Sequence, residues 1–290
     1  MKFGLCLAGG GIKGAAHIGA IKAFEEEKID FEVIAGTSSG SIVGTLYAVG
    51  YSSDEIYELF KKYCVQISKI DLKNIIKLIY GIFFKRKIII KGFNEGKKIK
   101  KIINKYCKIK NIENINQIKK TLIIPSVNLD DGGVYIFSSK ENRNAYNDIY
   151  KYIYNANIGE IVQASCSYPG IFSPCKINNS ELIDGGIREN VPWKEIQKKG
   201  VSKIINIIFE KETNKEYKSK NKNIIDIIIN SVNIMIHELS NYELEGAKFL
   251  LKIKTKNISL LDVKEVEYLY NLGYKIAKEN INEIKNYLYI

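Results

Sequence analysis

The sequence contains only two histidines, His17 and His237, among its 290 residues. This scarcity limits any catalytic scheme of the serine-histidine type, in which a histidine must carry every proton transfer. The five cysteines are odd in number and show no C-x-x-C spacing, which argues against a disulfide framework and against a zinc site. We therefore expect neither a metal nor a cofactor.

Long hydrophobic runs are also missing. The apolar run within residues 1–10 is too short for a signal peptide, and no stretch approaches the ~20 apolar residues that cross a membrane. We expect a cytoplasmic protein, with peripheral membrane contact and secretion by a route without a standard signal both left open.

Acidic residues are scarce in one part of the chain, residues 61–110. This segment holds sixteen lysines and arginines against Asp71 and Glu95, a net charge of +14, whereas the whole chain carries +12 and the remainder therefore −2. From Leu72 to Phe93 the cations alternate with isoleucines, leucines and aromatic residues, a pattern that suits an anionic membrane surface. A merely solvated, lysine-rich face is the alternative.

Two glycine-rich turns each lie between a strand-like and a helix-like run. The second, residues 36–40, reads G-T-S-S-G and fits the G-x-S-x-G nucleophile elbow, in which a Cβ at either glycine would clash with the neighbouring strand or helix. Ser38 is therefore the candidate nucleophile. An ordinary glycine and serine loop is the alternative that this motif alone leaves open.

The first turn, residues 9–14, reads G-G-G-I-K-G and also satisfies the dinucleotide-binding pattern G-x-G-x-x-G. That function needs an acid at the end of the second strand, but Asp30 and Glu32 fall at the start of that strand. The backbone N–H groups of Gly10 and Gly11, at a helix N-terminus, suit an acyl oxyanion instead.

A serine nucleophile needs a base, and neither histidine is well placed to act as one. His17 falls inside the first helix, where packing is expected, and His237 lies in an amphipathic helical stretch. Asp184 follows an apolar strand and opens an Asp-Gly-Gly turn, so it can face the elbow. To accept the proton of the Ser38 hydroxyl, its carboxylate needs hydrogen-bond reach to the serine oxygen and burial that raises its pKa. A turn-forming aspartate is the alternative.

Together these turns resemble the motifs of bacterial patatin-like phospholipases, which have G-G-G-x-[KR]-G, G-x-S-x-G, A-S-x-x-x-P and D-G-[GA] in this order. The matching positions are Gly9, Gly10, Gly11, Ile12, Lys13, Gly14, Gly36, Ser38, Gly40, Ala164, Ser165, Pro169, Asp184, Gly185 and Gly186. The resemblance covers about residues 2–200. It implies a Ser38–Asp184 dyad without histidine, with Gly10 and Gly11 as the oxyanion hole, and hydrolysis of fatty-acyl esters without a metal.

Alternating strand and helix patterns predict one α/β domain over residues 1–290, a three-layer α/β/α sandwich with a mainly parallel central sheet, and the resemblance implies that this domain is patatin-like. Further strands are expected at 121–127, 134–137, 203–209 and 249–254. The motif-bearing core covers about residues 2–200, a charged loop is expected over 211–222, and a helical part follows over 223–290.

The sequence thus predicts a lipid acyl hydrolase of the phospholipase A or lysophospholipase type, with a lipid substrate and no nucleic-acid partner. Two alternatives stay open. One is a basic adaptor that binds membrane or nucleic acid without catalysis, and the other is an acyltransferase that uses the same serine with a thioester carrier.

Overall fold

The computed structural model describes residues 2–69, 71–87, 90–141, 149–211, 224–256 and 258–289. The strands are β1 (Phe3–Leu7), β2 (Val33–Gly36), β3 (Thr121–Asn128), β4 (Val134–Ser138), β5 (Tyr150–Ile153), β6 (Cys175–Ile177), β7 (Ser180–Asp184), β8 (Lys203–Lys211) and β9 (Leu250–Thr255). The helices are α1 (Gly14–Glu26), α2 (Ser39–Ala48), α3 (Ser53–Ser68), α4 (Leu72–Lys85), α5 (Lys97–Ile109), α6 (Ile158–Ser165), α7 (Trp193–Gln197), α8 (Ile224–Glu243), α9 (Val266–Glu279) and α10 (Ile281–Leu288).

The strands form one central sheet in the order β5-β4-β3-β2-β1-β8-β9, and β7 pairs with both β3 and β6. Pairing is parallel from β3 through β2, β1 and β8 to β9, so the predicted mainly parallel sheet is confirmed. Both faces of this sheet are covered, which explains why β1 is apolar along its length rather than alternating. Leu5 and Leu7 belong to one core cluster, and Cys6 and Ala8 belong to another.

Helices cover the sheet on both sides, as the predicted three-layer sandwich requires. The larger core cluster joins the sheet to α1, α2, α5, α6 and α9. The smaller cluster joins the opposite face to α7, through Trp193 and Ile196. The segment after residue 223 contributes to the same core, because β9 extends the sheet beside β8 and α9 packs against α1.

The length of β3 positions the candidate site. Its first residues pair with the parallel strand β2, from Thr121 to Ile123, and its last residues pair with the antiparallel strand β7, from Ser126 to Asn128. Because β4 occupies the other edge of β3, β2 and β7 lie on the same edge and point towards each other. The carboxyl ends of β2 and β7 therefore meet.

Strand β8 runs to Lys211, the first residue of the charged loop predicted over 211–222. Residues 212–223 lie outside the described part of the chain, so the rest of that loop stays a prediction. Within the described residues, no helix is both long and apolar enough to cross a bilayer.

Candidate active site

Ser38 lies at the turn between β2 and α2 with φ 53° and ψ −122°, a strained conformation for a residue with a side chain. The glycines on either side make this turn possible. A Cβ on Gly36 would lie 2.4 Å from the carbonyl oxygen of Gly40, and a Cβ on Gly40 would lie 2.2 Å from the carbonyl oxygen of Leu7 in β1. The local geometry is that of a nucleophile elbow.

The A-S-x-x-x-P segment supports both candidate catalytic residues. The backbone N–H of Ser38 donates to Oγ of Ser165 (3.1 Å), at the end of α6. The backbone N–H of Asp184 donates to the carbonyl oxygen of Ser167 (3.1 Å). One short stretch of chain thus fixes Ser38 and Asp184 relative to each other, a role that the sequence pattern alone did not assign to it.

Asp184 ends β7 and is 2% exposed. Burial raises the pKa of its carboxyl to about 7, against the opposing effects of the Gly186 N–H and the Ser38 hydroxyl. Oδ1 accepts the Gly186 N–H at 2.8 Å, whereas Oδ2 has no well-aligned hydrogen bond within the described residues. A carboxylate with a pKa near neutrality and a free oxygen beside a serine hydroxyl can accept the proton of that hydroxyl.

The first glycine-rich turn follows β1, the strand beside β2. A Cβ on Gly9 would lie 3.3 Å from Cβ of Ser38, so the turn adjoins the elbow. The N–H of Gly9 is bonded to Asn190 and that of Ile12 to the carbonyl oxygen of Leu260, while the N–H groups of Gly10 and Gly11 have no acceptor within the described residues. These two groups are therefore available to an oxyanion on an ester bound at Ser38.

The structure does not place either histidine as a base. His17 is fully buried, its Nε2–H donates to the carbonyl oxygen of Ala8 (2.8 Å), and burial lowers its pKa to about 4. His237 is exposed on α8 and does not line the cavity that contains Ser38 and Asp184.

Lys13, in the same turn, lies close to the aromatic ring of Phe209. Its ammonium group lies 5.9 Å from the ring centroid of Phe209, and the same ring contacts His17 at 4.6 Å between centroids. A Cβ on Gly10 would lie 2.7 Å from the same ring. Phe209 therefore packs against the turn, which favours a loop-stabilising role for Lys13.

Ser38 and Asp184 open into a cavity of about 160 Å³. Apolar side chains from α2, α3 and α5 line part of its wall, including Ile42, Leu46, Leu59, Phe60, Ile99 and Ile103. Ser38, Asp184 and residues 9–11 of the glycine turn line the same cavity. The mainly apolar cavity thus suits an aliphatic chain, with the candidate reacting groups in its wall. Within the described residues, no cluster of histidine, cysteine and carboxylate side chains could hold a metal ion.

The chain matches the family model described as patatin-like phospholipase over residues 5–196. It is 29% identical over 203 residues to the Candida albicans protein named lysophospholipase NTE1, and the match covers 70% of this chain but 13% of that protein. It is 30% identical over 302 residues to uncharacterized protein R571 of Acanthamoeba polyphaga mimivirus, covering 98% of this chain and 95% of the viral protein.

Among solved structures, VipD from Legionella pneumophila is similar in fold, with a TM-score of 0.53, 16% identity, and coverage of 97% of this chain and 67% of that chain. The two sequence relatives are fungal and viral, so assignment to a bacterial subgroup stays a prediction. The chain spans only about an eighth of the length of the fungal relative.

Proposed function

Because the chain belongs to the patatin-like phospholipase family, we propose that it hydrolyses fatty-acyl esters of lipids, as a phospholipase A or lysophospholipase, with Ser38 as nucleophile and Asp184 as base. The observation that carries the proposal is the meeting of a strained elbow serine with a buried aspartate whose pKa is raised to about 7, in the wall of a mainly apolar cavity. This combination of groups fits acyl transfer through a serine ester.

The reaction begins when the ester carbonyl carbon lies against Oγ of Ser38 and its oxygen faces the N–H groups of Gly10 and Gly11. Oγ attacks the carbonyl carbon while its proton passes to Oδ2 of Asp184. The glycine N–H groups stabilise the negative charge that develops on the carbonyl oxygen.

The tetrahedral intermediate collapses when Asp184 returns that proton to the leaving alcohol oxygen, which leaves an acyl ester on Ser38. Water then attacks this ester, gives a proton to Asp184, and releases the fatty acid as the serine hydroxyl is restored. The neutral, buried histidine His17 takes no part in these steps.

We also propose that helix α4 brings the enzyme to anionic lipid surfaces. Ile76, Tyr80 and Phe84 recur every four residues and are 66%, 47% and 74% exposed, so they form an apolar stripe on one face of the helix. Exposed cations stand at the end of this helix, Lys85, Arg86 and Lys87, here called the α4 cations. An exposed apolar stripe beside cations suits insertion at the interface of an anionic membrane, where each cation contributes about 1 kcal/mol.

Labelling with a fluorophosphonate probe tests the proposed chemistry. The wild-type protein should label at Ser38, and Ser38→Ala should abolish both labelling and release of fatty acid from a mixed lipid extract. Ser39→Ala is the matched control, because this neighbouring hydroxyl makes no hydrogen bond within the described residues. Absence of labelling in the folded wild type would favour a non-catalytic adaptor, and transfer of the acyl group to an acceptor other than water would favour an acyltransferase.

A further inference from the structure

The segment that follows Asp184 holds the glycine turn in place. Oδ1 of Asn190 accepts the N–H of Gly9 at 3.1 Å, and the carbonyl oxygen of Asn190 is 3.4 Å from the same nitrogen. Gly9 directly precedes Gly10, the first proposed oxyanion donor. A Cβ on Gly9 would lie 2.5 Å from Oδ1 of Asn190, so the two residues are in close contact.

A run of three glycines has no side chain by which it can be fixed, and glycine explores more backbone conformations than any other residue. Oxyanion donors nevertheless need to stay within about 0.5 Å of their working position. The turn must therefore be held from outside. Gly9 is the residue before Gly10, and within the described residues its N–H is held by Asn190, which lies outside the turn.

Asn190 is in turn held by helix α8. Its Nδ2–H donates to Oγ of Ser240 (3.0 Å), and its backbone N–H donates to Oε1 of Glu243 (2.9 Å). Oε2 of the same glutamate accepts the N–H of Val191 at 2.7 Å. Every backbone and side-chain polar group of Asn190 therefore has a partner, and each partner belongs either to the glycine turn or to α8.

The same loop also contacts the elbow. Oγ1 of Thr37 donates to the carbonyl oxygen of Glu189, the residue before Asn190, at 2.8 Å. Residues 189–191 thus connect the elbow, the glycine turn and α8, although α8 is far from all of them in the sequence.

We propose that Asn190 is a positioning residue for the oxyanion hole, and that α8 sets its orientation through Ser240 and Glu243. The inference rests on the proposed function and adds a residue to it. It predicts that the hydroxyl of Ser240, which within the described residues is hydrogen-bonded to Asn190 and Ile236 and not to Ser38 or the glycine turn, acts on catalysis through Asn190.

Helix α8 offers a matched pair of serines for the test. Oγ of Ser240 donates to the carbonyl oxygen of Ile236, and Oγ of Ser231 donates to that of Ile227, each one turn back along the helix. They differ in that Ser240 also accepts from Asn190. Ser231→Ala therefore reports any general effect of removing a hydroxyl from this helix, and Ser240→Thr restores the hydroxyl at the tested position.

The measurement is kcat and KM on a soluble short-chain ester, with thermal unfolding as a check on the fold. Asn190→Ala should lower kcat by about 10- to 100-fold with KM changed by less than about threefold, because a displaced turn weakens stabilisation of the transition state rather than binding. Ser240→Ala should lower kcat by roughly 3- to 10-fold, Ser240→Thr should recover most of that loss, and Ser231→Ala should leave kcat unchanged. Amide hydrogen exchange of Gly9, whose N–H is bonded to Asn190, should be faster in Asn190→Ala.

The inference would be overturned if folded Asn190→Ala had a kcat within twofold of wild type. It would also be overturned if Ser231→Ala and Ser240→Ala lost equal amounts of kcat. The proposed function is judged separately, because it fails only if the wild-type protein neither labels at Ser38 nor hydrolyses the ester.

Discussion

Replacing Asp184 with asparagine should abolish activity and at the same time stabilise the fold. Burial raises the carboxyl pKa from 3.8 to about 7, so the folded state disfavours the ionised form that the unfolded chain adopts above pH 4. Each pKa unit corresponds to about 1.4 kcal/mol, which makes the ionised carboxylate cost between about 3 and 5 kcal/mol of stability. That is a large share of the ~5–15 kcal/mol by which domains are usually stable.

Because the pKa of Asp184 is raised in the folded state, the stability of the wild type depends on pH in a defined direction. Below pH 3.8 both states of the wild type hold the proton, and the asparagine variant should be about as stable as the wild type. Between pH 3.8 and 7 the folded wild type must take up a proton that the unfolded chain lacks, so its stability falls as pH rises. The asparagine does not titrate, and its Oδ1 can still accept the Gly186 N–H. The advantage of Asp184→Asn should therefore grow with pH and level off above pH 7.

Urea unfolding at pH 4 to 8, followed by the fluorescence of Trp193, measures this difference, because the chain has one tryptophan and it is buried. Glu189 and Glu243 also have pKa values raised by burial, to about 8 and about 7, but they are present in both proteins and cancel in the comparison.

Asp131→Asn is the matched control. Asp131 also begins an Asp-Gly-Gly turn and accepts the N–H of the residue two positions on, Gly133, at 2.7 Å, but it is exposed. Its replacement should change stability by less than about 0.5 kcal/mol at every pH. A pH-independent effect of Asp184→Asn, or a variant less stable than wild type at pH 8, would refute the reasoning.

Three further outcomes are expected. The value of kcat/KM on a soluble ester should rise with pH through about 7, because Asp184 must lose its proton to act as base, and a profile without that limb would contradict the assignment. Gly10→Ala should lower kcat by ~10²- to 10³-fold, since the new Cβ would meet the ring of Phe209, and adding Phe209→Leu should recover part of the loss if displacement of the turn is the cause. Reversing the α4 cations to glutamate should slow hydrolysis of anionic vesicles at low salt without slowing hydrolysis of a soluble ester. The control is the same reversal on α5, at exposed Lys101, Lys105 and Lys108, which should have less effect. Equal losses on both substrates would point to a damaged fold.

The sequence by itself determined those features that depend only on residues close together in the chain. The elbow at Ser38 could be predicted because its glycines are needed within one turn of chain, where strand and helix cross at distances that exclude a Cβ. The parallel sheet could be predicted because strand patterns alternate with helix patterns along the chain. The apolar character of β1 agrees with this, since a strand covered on both faces is apolar throughout.

Only the tertiary structure decided which groups meet. The chain contains two Asp-Gly-Gly turns with the same local hydrogen bond, at Asp131 and at Asp184, and their sequences do not reveal which carboxylate is buried. Asp184 faces Ser38 because β3 continues past the end of β2 and pairs there with β7, which runs in the opposite direction. The contacts of Asn190 with Gly9 and α8 likewise join residues that are 181 and 50 positions apart. Local propensity carries no information about such distant pairs, because packing of the whole sheet and its helices brings them together.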